Sequence, residues 1–187
     1  MAILKVGGTQ IASSSGSDVT LDNVALGSSV SGLAYSSSAI ICDKKAYNAH
    51  GGTFTQDSWT PARELNFTIN DADSIVVSLA SDRFTLGVGT YTIEWVAPAY
   101  HCNTHQSRLY NHSDTAVVWY GSPEYAGSAE AVTASSRGIA VTTIAGDKAF
   151  EIQHYCDTTA ATYGFGRATS FTGSDAIFTV VHIHKHA

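Results

Sequence analysis

Three of the eight histidines fall at every second position near the end of the chain, in HIHKH (His182, His184 and His186). In an extended strand, residues two apart share a face. His182 and His184 would then present two imidazoles side by side, as donors for zinc, iron or nickel. A second cluster, HCNTH at positions 101–105, brings His101, Cys102 and His105 together in sequence. On a strand His101 and His105 would share a face and Cys102 would not, so a three-donor site there requires a loop. The competing reading of His105, and of His154 in FEIQHYC, is a buried, hydrogen-bonded core histidine. The carboxylates Asp71, Asp73 and Asp82 lie in turn-like stretches, NDADS and SDR, with nothing to mark an acid–base pair. Nucleophile-elbow, metalloprotease and phosphate-loop patterns are absent. The expectation is a protein that is not an enzyme.

Cys42, Cys102 and Cys156 are odd in number and contain no C-x-x-C pair, which favours buried thiols over a disulfide or a zinc knuckle. The aromatics Trp119, Tyr120, Tyr125, Tyr155 and Tyr163 gather in the second half of the chain. A ring with a polar edge suits recognition of glycan or protein. Residues 122–138 and 157–175 read as loops, where binding residues concentrate, so Tyr125 and Tyr163 are the candidate ligand contacts.

The elements that must position these groups are strands. The 187 residues suit one principal domain with a modest appendage. Charged residues make up 14% of the chain, against about 25% in ordinary soluble domains. Ser, Thr, Ala and Gly fill the difference, as suits an all-β protein or one that hides surface in an assembly. A net charge of −6 with no Lys or Arg run beyond Lys44-Lys45 excludes a nucleic-acid footprint. The N-terminal MAILKV carries too short an apolar run for a secretory leader, and no stretch reaches the ~18 apolar residues of a membrane span. Synthesis in the cytosol without membrane insertion is expected, and the N-x-S/T sequons at Asn66 and Asn111 are then coincidental.

Residues 1–37 read as an N-terminal β segment and linker: a strand at ILKV, another over residues 18–26, and hydroxyl-rich segments around them. From residue 38 to 187, strands recur about every ten residues, the spacing of a β-sandwich. They read as AIICDKKA, RELNFTI, SIVVSL, RFTLG, TYTIEWVAPAY, HQSRLYNH, TAVVWYG, GIAVTTI, KAFEIQHYC, TYGFGRAT and AIFTVVHIHKH. In TYTIEWVA, Tyr91, Ile93 and Trp95 take one face and Thr92, Glu94 and Val96 the other. The fold class is all-β, a two-sheet antiparallel jelly-roll sandwich.

The stretch FTLGVGTYTIEWVAPAYHCNTHQSRLYN (84–111), with SWTPARELN, GSPEYA, FEIQHYC and GFG, resembles the C1q/TNF-like jelly-roll domain at the ends of phage and prophage tail-fibre and related virion proteins. The resemblance covers residues 38–187. The opening MAILKVGGTQI is similar to the start of many small phage-encoded proteins. The chain departs from the fibre pattern in having only some 37 residues, and no long shaft, before the head. The resemblance implies a homotrimer in the virion, made in the host cytoplasm, in which the first and last long strands of the head meet about a three-fold axis. The sequence offers a separate check. In the last strand Ile177, Val181 and Ile183 make one face apolar, and Phe178 and Val180 make the other apolar as well, the pattern of a strand covered on both sides. AIIC, at 39–42, is apolar throughout. Ile40, Phe178, Val180 and His182 are therefore the expected trimer-interface residues.

If the even face points at the axis, His182 and His184 of three copies bring six imidazoles together, a set that suits octahedral iron or nickel. Such H-x-H sites resemble those of some phage spikes and fibres. No other cofactor is implied. The resemblance implies adhesion by a receptor-binding tip to a host surface glycan or protein, with the N-terminal segment attached to other virion proteins. The alternatives are a capsid-decorating trimer and a non-viral C1q-like binding module.

Overall fold

The computed structural model describes residues 2–6, 9–15, 18–20 and 37–186. The chain divides into two units, residues 1–34 and 35–187. In the first, β1 (Ala2–Val6), β2 (Thr9–Ser15) and β3 (Asp18–Thr20) form an antiparallel sheet in that order. The segment IASSSGS, residues 11–17, reads as a loop, yet residues 11–15 belong to β2. Their backbone pairs on both sides instead, from Ala2↔Ser14 to Ser14↔Val19. Ladder hydrogen bonds come from the backbone, so a hydroxyl-rich run can fill a strand that its composition hides. The rest of the expected strand, residues 21–26, and the linker up to residue 36 lie outside the described residues.

The second unit contains β4 (Ser37–Lys45), β5 (Phe67–Asn70), β6 (Val76–Ala80), β7 (Arg83–Leu86), β8 (Gly89–Tyr100), β9 (Asn103–Asn111), β10 (Ala116–Ala126), β11 (Thr133–Ile144), β12 (Lys148–Cys156) and β13 (Ala176–Lys185). They form two five-stranded antiparallel sheets. Sheet I has the order β11-β8-β13-β4-β5, and sheet II the order β10-β9-β12-β7-β6. The alternating residues of each strand decide which side chains meet between the sheets. Ile41, Tyr91, Ile93, Trp95, Val181 and Ile183 of sheet I pack with Phe84, Leu86, Leu109, Phe150 and Ile152 of sheet II in one buried cluster. Gly138 is needed here: a Cβ at that position would lie 2.0 Å from the Trp95 indole, which passes directly beneath it. Among the described residues there is no helix, and none long and apolar enough to cross a membrane.

Four segments depart from the sequence reading. The last strand carries a bulge between Ile177 and Val180, so Ile177 does not share the core face of Val181 and Ile183 and stays 45% exposed. GSPEYA is not a loop but the end of β10, and residues 133–138 begin β11, so the loop between them shrinks to residues 127–132. TYGFGRAT is not a strand. Its backbone bonds go to the β4–β5 connection and the end of β8 (Gly51 N–H to Gly166 O, 2.9 Å; Tyr100 N–H to Gly164 O, 3.0 Å). Gly166 adopts φ +136°, with Phe178 so close that a Cβ would meet its ring at 2.2 Å. RELN does not extend β5 either, because Arg63 donates its N–H to Ile152 O of the opposite sheet at 2.7 Å.

Candidate functional site

Sheet I turns one face to the core and the other away from it, and strand register fixes what the second face presents. Across β11, β8, β13 and β4 one row reads Ile139, Glu94, His182 and Ile40, and the next Val141, Thr92, His184 and Ser38. A third row holds Arg137, Val96, Val180 and Cys42, with Phe67 of β5 beyond. Ile139, Val141 and Phe67 are 56%, 63% and 41% exposed; Val96, Val180 and Ile40 are half-buried. Glu94, Val96, Arg137, Val180 and His182 line a shallow depression of about 280 Å³. At the sheet edge, Trp119 of β10 joins Val118, Ile139, Ala140 and Val141 around a second groove of about 410 Å³.

Of the expected interface residues, Ile40, Val180 and His182 lie together on this face. Phe178 is already covered within the chain by Gly166 and is only 8% exposed. His182 is exposed and His184 half-buried, both on the side away from the core, whereas His186 Nε2 lies 2.7 Å from Thr92 Oγ1. Among the described residues no three His, Cys, Asp or Glu side chains converge as metal donors, so a metal held by His182 and His184 would need donors from further copies. HCNTH does not converge: His101 sits at φ +60°, off the strands, while Cys102 and His105 are buried.

His105 instead meets His154 between the sheets, Nδ1 to Nε2 at 3.0 Å. Burial pushes His105 down to about 4, and pushes His154 well below the usual imidazole value. Both rings are therefore neutral, and the N–H of one donates to the bare nitrogen of the other. Arg63, wholly buried, donates from Nε to Thr179 Oγ1 and from Nη2 to Phe165 O, both at 2.7 Å, and lies 4.1 Å from the Phe165 ring. Burial lowers it to about 9. Burial also lifts Asp43 to about 6, against the pull of Lys45. Cys42, Cys102 and Cys156 are free and buried, and a hydrogen bond with Cys156 together with burial pushes the Cys102 thiol up. Apart from Cys42, which the register puts on the outward face of sheet I although it is covered there, these groups are sealed inside the sandwich and present nothing to a ligand.

The outward face of sheet II is organised differently. Glu151 and Gln153, each 4% exposed, lie on that face beneath longer side chains. Arg83 Nε donates to Glu151 Oε2 at 2.8 Å, Gln153 Nε2 to Glu151 Oε1 at 2.5 Å, and Arg108 Nε to Gln153 Oε1 at 2.7 Å. Trp59, from the β4–β5 connection, lies over this network. Its ring is 4.0 Å from the Arg108 guanidinium, 5.3 Å from Tyr155 and 6.1 Å from Tyr120. Tyr125 is 64% exposed at the end of β10. Tyr163 packs against His50 (4.6 Å) and Tyr100 (5.9 Å). Sequence reasoning missed the Trp59–Arg108 pairing because 49 positions separate the two residues. The signal was the alternation of Arg108 and Tyr110 with Leu109 on β9, which puts both on the outward face.

No family model matches the chain, and no curated protein matches it. Among solved structures, murine APRIL at pH 5.0 aligns with 81% of this chain and 99% of its own, at TM-score 0.51 and 7% identity. The globular domain of zebrafish complement 1qA aligns with 79% of this chain and 94% of its own, at TM-score 0.49 and 13% identity. With two five-stranded antiparallel sheets in this order, the chain has a C1q/TNF-like jelly-roll fold.

Proposed function

We propose that the chain is a phage virion structural protein, a homotrimeric tail-fibre tip whose heads adhere to a glycan or protein on the host surface. The observation that carries the trimer is the outward face of sheet I. Ile139, Val141 and Phe67 stand exposed there, beside half-buried Ile40, Val96 and Val180. Apolar side chains on contiguous strands gain free energy when a second surface excludes water from them, and a closed symmetric ring supplies that surface without leaving an open end. His182 and His184 share the face and would lie near the axis. The virion assignment is supported by the resemblance of residues 38–187 to fibre heads and by the hydroxyl-rich, weakly charged composition. In this reading the N-terminal segment attaches to other virion proteins, and three weak contacts combine into firm adhesion.

Two measurements test it. Sedimentation equilibrium of the purified protein is expected to give three times the chain mass of 19.7 kDa; a stable monomer overturns the trimer. Immunogold labelling of intact particles is expected to mark the tail tip. Labelling across the capsid lattice would instead make the protein a decoration trimer.

A further inference from the structure

The residues around Arg108 do more than cover a sheet. The β4–β5 connection is pinned to the free edge of β12 by two backbone bonds, Asp57 N–H to Cys156 O (3.0 Å) and Arg63 N–H to Ile152 O (2.7 Å). β7 pairs with β12 only over Lys148 to Phe150, so this edge is open to the connection. Between the two pins the chain swings Trp59 outward over β12 and β9. Arg108 then lies between two rings, 4.0 Å from Trp59 and 5.2 Å from Tyr110. Tyr120, the β10 neighbour of Arg108, is 49% exposed, while Trp59, Tyr155 and Arg108 are half-buried. The guanidinium is held from behind: Nε is committed to Gln153, which is committed to Glu151, which is in turn held by Arg83. Among the described residues its two terminal nitrogens make no hydrogen bond. A planar donor pair is thus fixed in orientation and flanked by ring faces.

We propose that this surface is a binding site for a carboxylate-bearing sugar of an acidic polysaccharide. The two terminal N–H groups of Arg108 match a carboxylate in bidentate geometry. The faces of Tyr120, Tyr155 and Trp59 suit the C–H face of a pyranose. Asp57 accepts a hydrogen bond from Tyr155 Oη at 3.0 Å, and Gln106, opposite Tyr155 in the ladder, lies on the same face; both offer acceptors for sugar hydroxyls. Charge decides between anions. With Glu151 already balanced by Arg83, one unpaired guanidinium near Asp57, on a chain of net charge −6, favours a monoanion and disfavours a phosphate dianion. The site deepens the adhesion reading and rests on it only for its biological use.

The test uses the full-length protein with four probes: oligogalacturonate, its methyl ester, sialyllactose and lactose, titrated by calorimetry. At least one acidic probe is expected to bind, and its neutral counterpart to bind about tenfold more weakly or not at all. Arg108→Gln and Arg108→Lys are each expected to weaken acidic-sugar binding by about tenfold or more, because an ammonium cannot supply the planar pair. Trp59→Leu is expected to weaken it with the charge intact. Far-UV circular dichroism and sedimentation report whether each variant keeps its fold and mass, and Trp59→Leu and Arg108→Lys serve if Arg108→Gln fails to fold. Absence of binding by both acidic probes overturns the proposal, as does acidic-sugar binding that the folded Arg108 variants retain. Host-cell binding by the wild-type protein separates the two readings. Cell binding without acidic-sugar binding leaves adhesion standing and removes this site, whereas acidic-sugar binding through Arg108 without cell binding does the reverse.

Discussion

The two outward faces of the sandwich are built from the same alternation, yet only one completes itself. On sheet II, Arg83, Glu151, Gln153 and the Arg108 Nε form one hydrogen-bonded chain beneath Trp59, which leaves only the two terminal nitrogens of Arg108 open. On sheet I, Ile40, Val96, Val180, Ile139 and Val141 face outward around Glu94 and His182. Nothing in the second unit covers Ile139 or Val141, which remain more than half exposed. A polar face can be finished within one chain, because hydrogen-bond partners are directional and few. An apolar face is finished only by area, and the second unit has used its area between the sheets.

The largest test of that contrast is a charge on each face. Val180→Asp is expected to dissociate the proposed trimer into folded monomers, since burying an unpaired carboxylate costs several kcal/mol per copy. Tyr110→Asp on sheet II should leave the mass unchanged. Sedimentation velocity with circular dichroism reads both, and a trimeric Val180→Asp would break the comparison.

Removing Glu151 should act in the opposite sense. Glu151→Ala leaves Gln153 Nε2 and Arg83 without their acceptor and is expected to cost about 2 kcal/mol of folding stability, with the trimer mass retained. Denaturant unfolding checks it, and an unchanged midpoint would show that the network on sheet II is ornamental.

Between the faces, the His105–His154 pair gives the monomer its own pH dependence. Both rings have lowered values in the folded state, so the unfolded chain takes up protons first and stability falls as pH drops below about 6.5. His105, pushed down to about 4, loses stability as pH falls toward that value, and His154 acts in the same direction. Asp43, raised to about 6, has the opposite sign and offsets part of this loss below pH 6. A net fall in stability is therefore expected from pH 6 towards 4, measured on the monomeric Val180→Asp protein so that the interface does not contribute. A flat profile would mean the pair is not neutral. The smallest effect is reserved for Tyr125→Ala, an exposed side chain on an edge strand: less than about 0.5 kcal/mol on stability and no change in mass.

Strands with clean alternation were legible from the order of their residues. TYTIEWVA lies in β8 with the expected faces and KAFEIQHYC forms β12, and the sandwich class followed. Strands whose pairing depends on a distant neighbour were not. GSPEYA reads as a turn because of its Gly and Pro, yet it lies along β9 at the edge of sheet II, where a missing proline donor is tolerated. TYGFGRAT has strand-like residues, but its glycines serve close approach to Phe54 and Phe178. The buried state of His105 and His154 could be guessed from their positions, though not that they face each other.

What the sequence determined by itself was the period-two pattern, and with it the class of fold and the side of each strand on which a residue lies. That much is local, because adjacent side chains in an extended chain must point to opposite sides. Which side becomes core, and which strand stands beside which, is not local. Register and sheet order put His182 between Glu94 and Ile40, and the fold of the β4–β5 connection put Trp59 on Arg108. The tertiary structure decided both, because contacts between residues many positions apart are selected by the packing of the whole sandwich and leave no spacing in the sequence to read.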